Sequence, residues 1–467
     1  MIAKERHILN EHARNVNRWQ KLYRDEPEEQ PADRLLATVL ADFAEFGEEY
    51  LDYFFNPRDE EIEQALATNK ITRQRLQARA LNALQDYWDV VGRVAEQRQV
   101  THYREILDDG TSRAKDFLEK LPFELPNVLI CFDNVWKIRH APFTDTPFIS
   151  TPYFYVADDD PAERDWYAIP HELGHYVYWN LGFRQVDGER QWTIGNLADV
   201  RRLQDVLQSD VTELLTQKLP DDLTPEQKDL LQALILAWLE EIFADVVGTH
   251  LGDAGFAESL QTVILNRAGT FKELAEDDGN HPPLIIRPFI RNRILNPEAA
   301  ELTGNWHAFF KDNFGLDDVA AQVLKLGERI PDEEVEDLSA DLIHLELTVA
   351  QVNQAVLPVV DYLHQQLKTV LSNYPANTND GLTRFTRLRL LAQEKREATK
   401  KKIQAAKQSA REAASEVVVD VRNEVEDVYE TLLQPRILER GYQHTHNLYG
   451  YHLGIRRLHF YDYTHYH

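Results

Sequence analysis

The chain has 467 residues, a single cysteine and a formal charge of −27. A summed field of that sign repels phosphate, so it argues against a nucleic-acid partner and favours basic peptides or basic protein surfaces. Cys131 alone allows no intrachain disulfide, which suits a reducing cytoplasm. With no run of 18 apolar residues anywhere in the sequence, no membrane span is expected.

Residues 1–120 read as a helical region. The opening Met1-Ile2-Ala3-Lys4-Glu5-Arg6-His7 is charged and lacks the apolar core of a signal peptide. Leu35 to Leu40 with Phe43 and Phe46, and Leu76 to Val91 with Leu81, Leu84 and Trp88, both carry a helical period. Asn56-Pro57-Arg58-Asp59 breaks the two runs apart. This region carries no chemical motif and reads as a scaffold walling one side of a cleft.

Residues 121–296 form the expected catalytic core. Its first part turns to β-branched and aromatic residues: Asn127 to Phe132 and Phe148 to Val156 read as strands of a small antiparallel sheet, with Pro152 placing the second at an edge. Such an edge either pairs with an extended peptide or is an ordinary strand blunted by its proline. Cys131, inside the first run, reads as a buried small residue. Asp158-Asp159-Asp160 reads as a solvated acidic loop.

Next comes Ile169-Pro170-His171-Glu172-Leu173-Gly174-His175. Residues four apart share one face of a helix, so His171 and His175 can present ring nitrogens to one metal ion. Glu172 then lies beside that ion, placed to take a proton from a metal-bound water. Pro170 suits a helix first turn, where its missing N–H costs nothing. Residues 196–230 carry amphipathic helix through Val200, Leu203, Val206 and Leu207, with a turn and helix start at Pro220 to Glu226.

The segment Trp238 to Gly248 then places Glu240, Glu241 and Asp245 in a run that is otherwise almost wholly apolar. Acids inside a buried helix need a partner, and a metal supplies one. Glu241 is the candidate third ligand of a site that keeps its fourth position open. Asp245, one turn on, can accept the other ring N–H of a ligand histidine and hold its tautomer. The third piece is Asp278-Gly279-Asn280-His281-Pro282-Pro283, followed by an apolar-basic run from Leu284 to Arg293 that reads as a helix carrying Arg287 on its first turns. His281 and Arg287 are candidate donors to an oxyanion or anchors for a peptide carbonyl.

Together these segments resemble the gluzincin metallopeptidases, most closely the CAAX-prenyl-protease and HtpX-like branch. That branch shows an HELGH helix, an E-x-x-x-D helix several dozen residues later and a following HPP-x-x-x-R. The resemblance covers residues 125 to 295. It implies that His171, His175 and Glu241 bind Zn2+, that Glu172 is the general base, that Asp245 supports a ligand from behind, and that His281 and Arg287 touch the transition state or substrate. Most relatives in that branch are membrane-embedded and this chain is not, so their substrates do not transfer.

Beyond the core, residues 297–374 read as helical and 375–381 as a linker. Residues 382–434 form one long helix free of Gly and Pro, with a narrow apolar stripe from Ile403 to Leu432. Its charge is polarised: Arg384 to Arg411 holds ten basic residues and two acids, Glu412 to Glu430 seven acids and one base. That order opposes the helix dipole, which leaves self-association, docking on the acidic body, or an ordinary solvated helix. The tail 435–467 is rich in Tyr and His. Its Tyr449 and Tyr451 either reach the cleft or pack as surface aromatics.

The expected fold class is mainly α (α+β), a gluzincin-like core with flanking helices. The expected activity is zinc-dependent hydrolysis of a peptide or protein substrate in the cytoplasm. Two rivals are a binding scaffold with a structural zinc site and a zinc hydrolase of a non-peptide amide.

Overall fold

A computed structural model describes residues 31–55, 72–122, 125, 127–139, 144–160, 164–186, 189–194, 201–298, 302–327 and 345–373. The interruption of the helical runs at 56–59, the linker 375–381, the stretch read as a long charge-polarised helix and the Tyr/His-rich tail lie outside these residues. The described fold is mainly helical with small sheets, the expected class.

Helices α1 (Pro31–Phe55) and α2 (Arg73–Gln97) form where the helical period predicts them. Thr72 caps α2 by accepting from the Arg75 N–H at 3.3 Å. Their apolar faces meet through aromatic pairs, Phe43 with Trp88 and Phe46 with Tyr87, each with ring centroids 5.7 Å apart. Helix α3 (Thr101–Leu118) follows. Arg98, almost fully buried, pairs with Asp108 and donates to Thr111 and to the Ile130 carbonyl, so a buried cation ties the helical region to the first strand.

Strands β1 (Leu129–Phe132), β2 (Lys137–Arg139) and β3 (Phe148–Thr151) make a sheet of order β1-β3-β2. Here the sequence reading needs two corrections. The segment read as one strand from Phe148 to Val156 ends at Thr151, because Pro152 has no N–H to continue the ladder; Tyr153–Val156 instead form the single-turn helix α4. With the proline outside it, β3 is the central strand, parallel to β1 and antiparallel to β2. The edge beside the following helix is therefore β2. Strands β1 and β3 are buried along their whole length, which explains the unbroken apolar sequence of β1; in β3 the buried Ser150 hydroxyl is satisfied by the Val135 and Lys137 carbonyls. Burial pushes the Cys131 thiol up to about 11, as befits a packing residue.

After α5 (Ala168–Asn180), an antiparallel sheet of order β5-β4-β6 forms from β4 (Leu181–Val186), β5 (Glu189–Ile194) and β6 (Arg201–Arg202). Sequence reading passed over it, although Asp187-Gly188 between two alternating runs is a hairpin signal. Helix α6 (Leu203–Lys218) leads to α7 (Pro225–Ala237), which starts at the expected turn with a capping box between Thr224 and Gln227. Helices α8 (Leu239–Arg267), α9 (Phe271–Leu274), α10 (Arg287–Leu295) and α11 (Trp306–Phe314) follow. The stretch 297–374, expected to be wholly helical, contains an antiparallel pair, β7 (Val323–Leu326) and β8 (Leu345–Thr348), before α12 (Val349–Asn373). Alternating exposure along both strands marks the period of two that a helical reading missed.

One apolar core runs from α3 through the first sheet, α5 and α8 to α12. Its centre is the packing of α5 on α8, the most extensive pairing of helices in the fold. The two helices touch at Gly174, where an added Cβ would stand 2.5 Å from the Ala244 Cα. Among the described residues no helix is long and apolar enough to cross a membrane.

Because backbone cannot yield as a flexible side chain does, Gly174→Ala should force α5 and α8 apart. We expect a loss of about 1–3 kcal/mol in urea unfolding, the usual cost of overpacking. An unchanged unfolding midpoint would show that the helices separate freely.

Candidate metal centre

The contact at Gly174 decides what faces what. One turn before it and immediately after it, α5 presents His171 and His175 toward the first turn of α8, where Glu241 stands. The two Nε2 atoms lie 3.3 Å apart. Glu241 Oε2 is 3.2 Å from His171 Nε2, and its Oε1 is 3.4 Å from His175 Nε2. These three residues form a group whose donor atoms all fall within 4.8 Å of one another, a set that could hold a metal ion. Sequence reading named all three.

The Nδ1 atoms point the other way, each toward a buried carboxylate. His171 Nδ1 is 3.2 Å from Asp245 Oδ1, the placement expected for Asp245. His175 Nδ1 is 2.9 Å from Glu240 Oε1, which also accepts from Trp179 Nε1 at 2.7 Å. Sequence reading gave Glu240 no role. Its signal was spacing, since Trp179 lies one turn beyond His175 and needs an acceptor once buried.

Asp245 is wholly buried and bound by two guanidiniums. Arg287 donates to it through Nε at 2.7 Å and through a terminal nitrogen at 2.8 Å. Arg291, one turn further along α10, donates through Nε at 3.1 Å and a terminal nitrogen at 2.9 Å. Arg291 also donates to the Phe256 carbonyl at 2.8 Å and lies 3.8 Å from the centre of the Phe256 ring. Between Asp245 and Phe256, α8 kinks at Asp253, whose φ of 52° is left-handed. Phe256 folds back against Gly248, where an added Cβ would stand 2.6 Å from its ring.

Arg287 therefore occupies a place other than the one expected. It stands on the Nδ1 side of His171, with a terminal nitrogen 3.2 Å from that atom, and not on the side where the Nε2 atoms converge. The reason is its burial: a guanidinium that is only 6% exposed needs a carboxylate, and Asp245 is that carboxylate. Arg291 was missed because its turn-spaced pairing with Arg287 shows only once Asp245 is in place.

His281 approaches from the loop before α10. Its Nε2 is 3.4 Å from Glu241 Oε1, and its Nδ1 is 2.7 Å from Asp278 Oδ2. The Asp278 side chain also accepts from the backbone N–H groups of Asn280 and His281, at 2.8 Å each, so a tight Asx turn sets the ring's direction. Asp277 accepts from the Gly279 and Gly327 N–H groups, both at 2.9 Å, and fastens that turn to the end of β7. Glu172, nearly buried, accepts from the Ile138 N–H of edge strand β2 at 2.8 Å.

The charges balance around Glu241. Burial alone would push its carboxyl up, but the imidazoles of His281, His175 and His171 outweigh that and hold it well below the usual range. Burial would likewise lower His175, yet Glu241 and Glu240 raise it to about 9. His281 is also raised, by Glu241 and Asp278 against its burial. Asp245 is held well below the carboxylate range by Arg287 and Arg291 despite its burial. Glu241 is thus the carboxylate on which the three imidazoles converge.

Comparison with protein-family models, with curated proteins and with solved structures finds no match.

Removing Asp245 leaves two buried guanidiniums without their counter-charge. Asp245→Ala should cost about 3–5 kcal/mol in urea unfolding with chelator present, the range for breaking a buried ion pair. A loss below about 1 kcal/mol would mean that water reaches the arginines once the carboxylate is gone.

Proposed function

We propose that the chain is a zinc-dependent metallopeptidase of the gluzincin type, acting on peptide or protein substrates. The observation that carries this is the spacing of the three donors. A tetrahedral ion with bonds of ~2.0–2.1 Å holds its ligands about 3.3–3.4 Å apart. The two Nε2 atoms lie 3.3 Å apart, and they stand 3.2 and 3.4 Å from the two oxygens of the Glu241 carboxylate; among the described residues no fourth protein donor joins the group. Two histidines and a glutamate with one position open form the donor set of a catalytic rather than a structural zinc site.

Zinc held there would supply Lewis acidity toward a carbonyl oxygen and lower the pKa of water toward neutrality. The chain's own residues do the rest. Glu172, fixed by the Ile138 N–H, takes the proton from the attacking water and delivers it to the leaving amine. His281, with Nδ1 fixed by Asp278, turns Nε2 toward the site and donates to the oxygen on which negative charge develops. Arg287 belongs to the support of His171 and makes no contact with substrate in this reading. The negative overall charge favours basic peptides. The cytoplasm is the proposed compartment.

The decisive comparison uses a mixed peptide library and elemental analysis. Glu172→Gln should keep zinc and lose about 10²–10⁴ in turnover, as expected for a missing general base. His175→Ala should lose the metal. No cleavage by the zinc-loaded wild-type protein, or full zinc occupancy in His175→Ala, would sink the proposal.

His281→Ala gives a separate test of the oxyanion role. It should retain zinc and melting temperature while kcat falls about 10²–10³. Arg287→Ala should instead lower stability, because it strips Asp245 of one of its two cations. Equal kinetic losses in the two variants at unchanged stability would return Arg287 to the substrate side.

A further inference from the structure

We infer that Glu240 is a positioning residue for the metal centre, holding the His175 ring so that its Nε2 faces the ion. The inference rests on the metal-centre reading above and goes beyond it, because nothing in a zinc-ligand pattern assigns the residue preceding Glu241. Glu240 is 2% exposed, deep between α5 and α8. Its Oε1 lies 2.9 Å from His175 Nδ1, so that nitrogen carries the hydrogen and Nε2 keeps its lone pair for a metal.

Trp179 makes the arrangement rigid. Its indole N–H donates to the same carboxylate oxygen at 2.7 Å, and its ring stacks on that of His175 at 5.7 Å and 29°. The acceptor sets where Nδ1 points, and the stacking sets the plane of the ring. Together they remove the two rotations by which His175 could turn away from Glu241.

The two ligand histidines are thus supported in different ways. Behind His171 stands Asp245, shared with Arg287 and Arg291. Behind His175 stands Glu240, shared with Trp179. Adjacent acids on α8 have separate duties: Glu241 faces the Nε2 atoms, and Glu240, about 100° around the helix, reaches the Nδ1 side. One helix turn supplies both the third donor and the brace of the second.

The test measures zinc affinity by competition with a chromophoric chelator, the visible spectrum of the cobalt-loaded protein, and the melting temperature of the metal-free protein. Glu240→Ala should weaken zinc binding about 10–100-fold, the usual effect of removing a group that braces a ligand histidine. Glu240→Gln keeps an acceptor oxygen, so it should recover most of that loss, remaining about threefold to tenfold weaker than wild type with shifted cobalt bands. Wild-type zinc affinity in Glu240→Ala would overturn the inference. So would equal losses in both variants that follow a fall in metal-free melting temperature, since a packing residue behaves that way. Should Glu240→Ala fail to fold, wild-type affinity and cobalt bands in Glu240→Gln would overturn it as well. A wild-type protein that binds no zinc would remove the metal-centre reading itself, an outcome distinct from these.

Discussion

The backbone contact between Gly174 on α5 and Ala244 on α8 is the constraint on which the site depends. The close approach of the two helices there brings a carboxylate on one within reach of the Nε2 atoms of two histidines on the other. At Gly174 there is no side chain, and at Ala244 only a methyl group. The residues flanking this contact then meet by register: His171 and His175 on one helix, Glu240, Glu241 and Asp245 on the other. Gly248 repeats the device one turn beyond Ala244, letting the ring of Phe256 lie against α8 beside the backbone of His171.

So close an approach buries charge, and the fold answers with partners for each group. Asp245 is inaccessible to water and is compensated by Arg287 and Arg291 from α10. That pairing locks α10 to α8, and the loop leading into α10 carries His281. The charges therefore do two things at once. They satisfy a carboxylate that could not otherwise be buried, and they fix the distance from which His281 approaches Glu241. Beyond the kink at Asp253, the Phe256 carbonyl accepts from Arg291 and so ties the second part of α8 to α10 as well.

The first sheet contributes one group to this centre through its edge. With β3 in the middle of the sheet, β2 borders α5, and its Ile138 N–H is directed to Glu172. An edge strand offers unpaired donors, and here one of them orients a carboxylate beside the two histidines. Strand β2 is short and carries little apolar pattern, which is why hydrophobic runs mark β1 and β3 and leave β2 unmarked.

The donor set was legible in the sequence because its spacing is local. His171 and His175 are one helical turn apart, Glu241 and Asp245 another, and His281 stands before two prolines that announce a helix start. The helical period likewise placed α1 and α2, the turn at Pro220 to Glu226 placed the start of α7, and the apolar run 129–132 placed β1. Order within the sheets was not legible. Whether β3 lies at an edge or in the centre depends on which strands pair, and Phe148 to Val156 reads alike in both cases. Nor did the sequence distinguish Arg287 as a substrate contact from Arg287 as the counter-ion of a buried aspartate, since a lone HPP-x-x-x-R fits either. Glu240 is the clearest instance: beside Glu241 in the chain, it has the same chemistry and a different duty. Local spacing determines which side chains share a helix face. Only the meeting of α5, α8 and α10 decided which of those side chains converge on one another and which stand behind them, because that distinction lies in the atoms each residue meets across the interface.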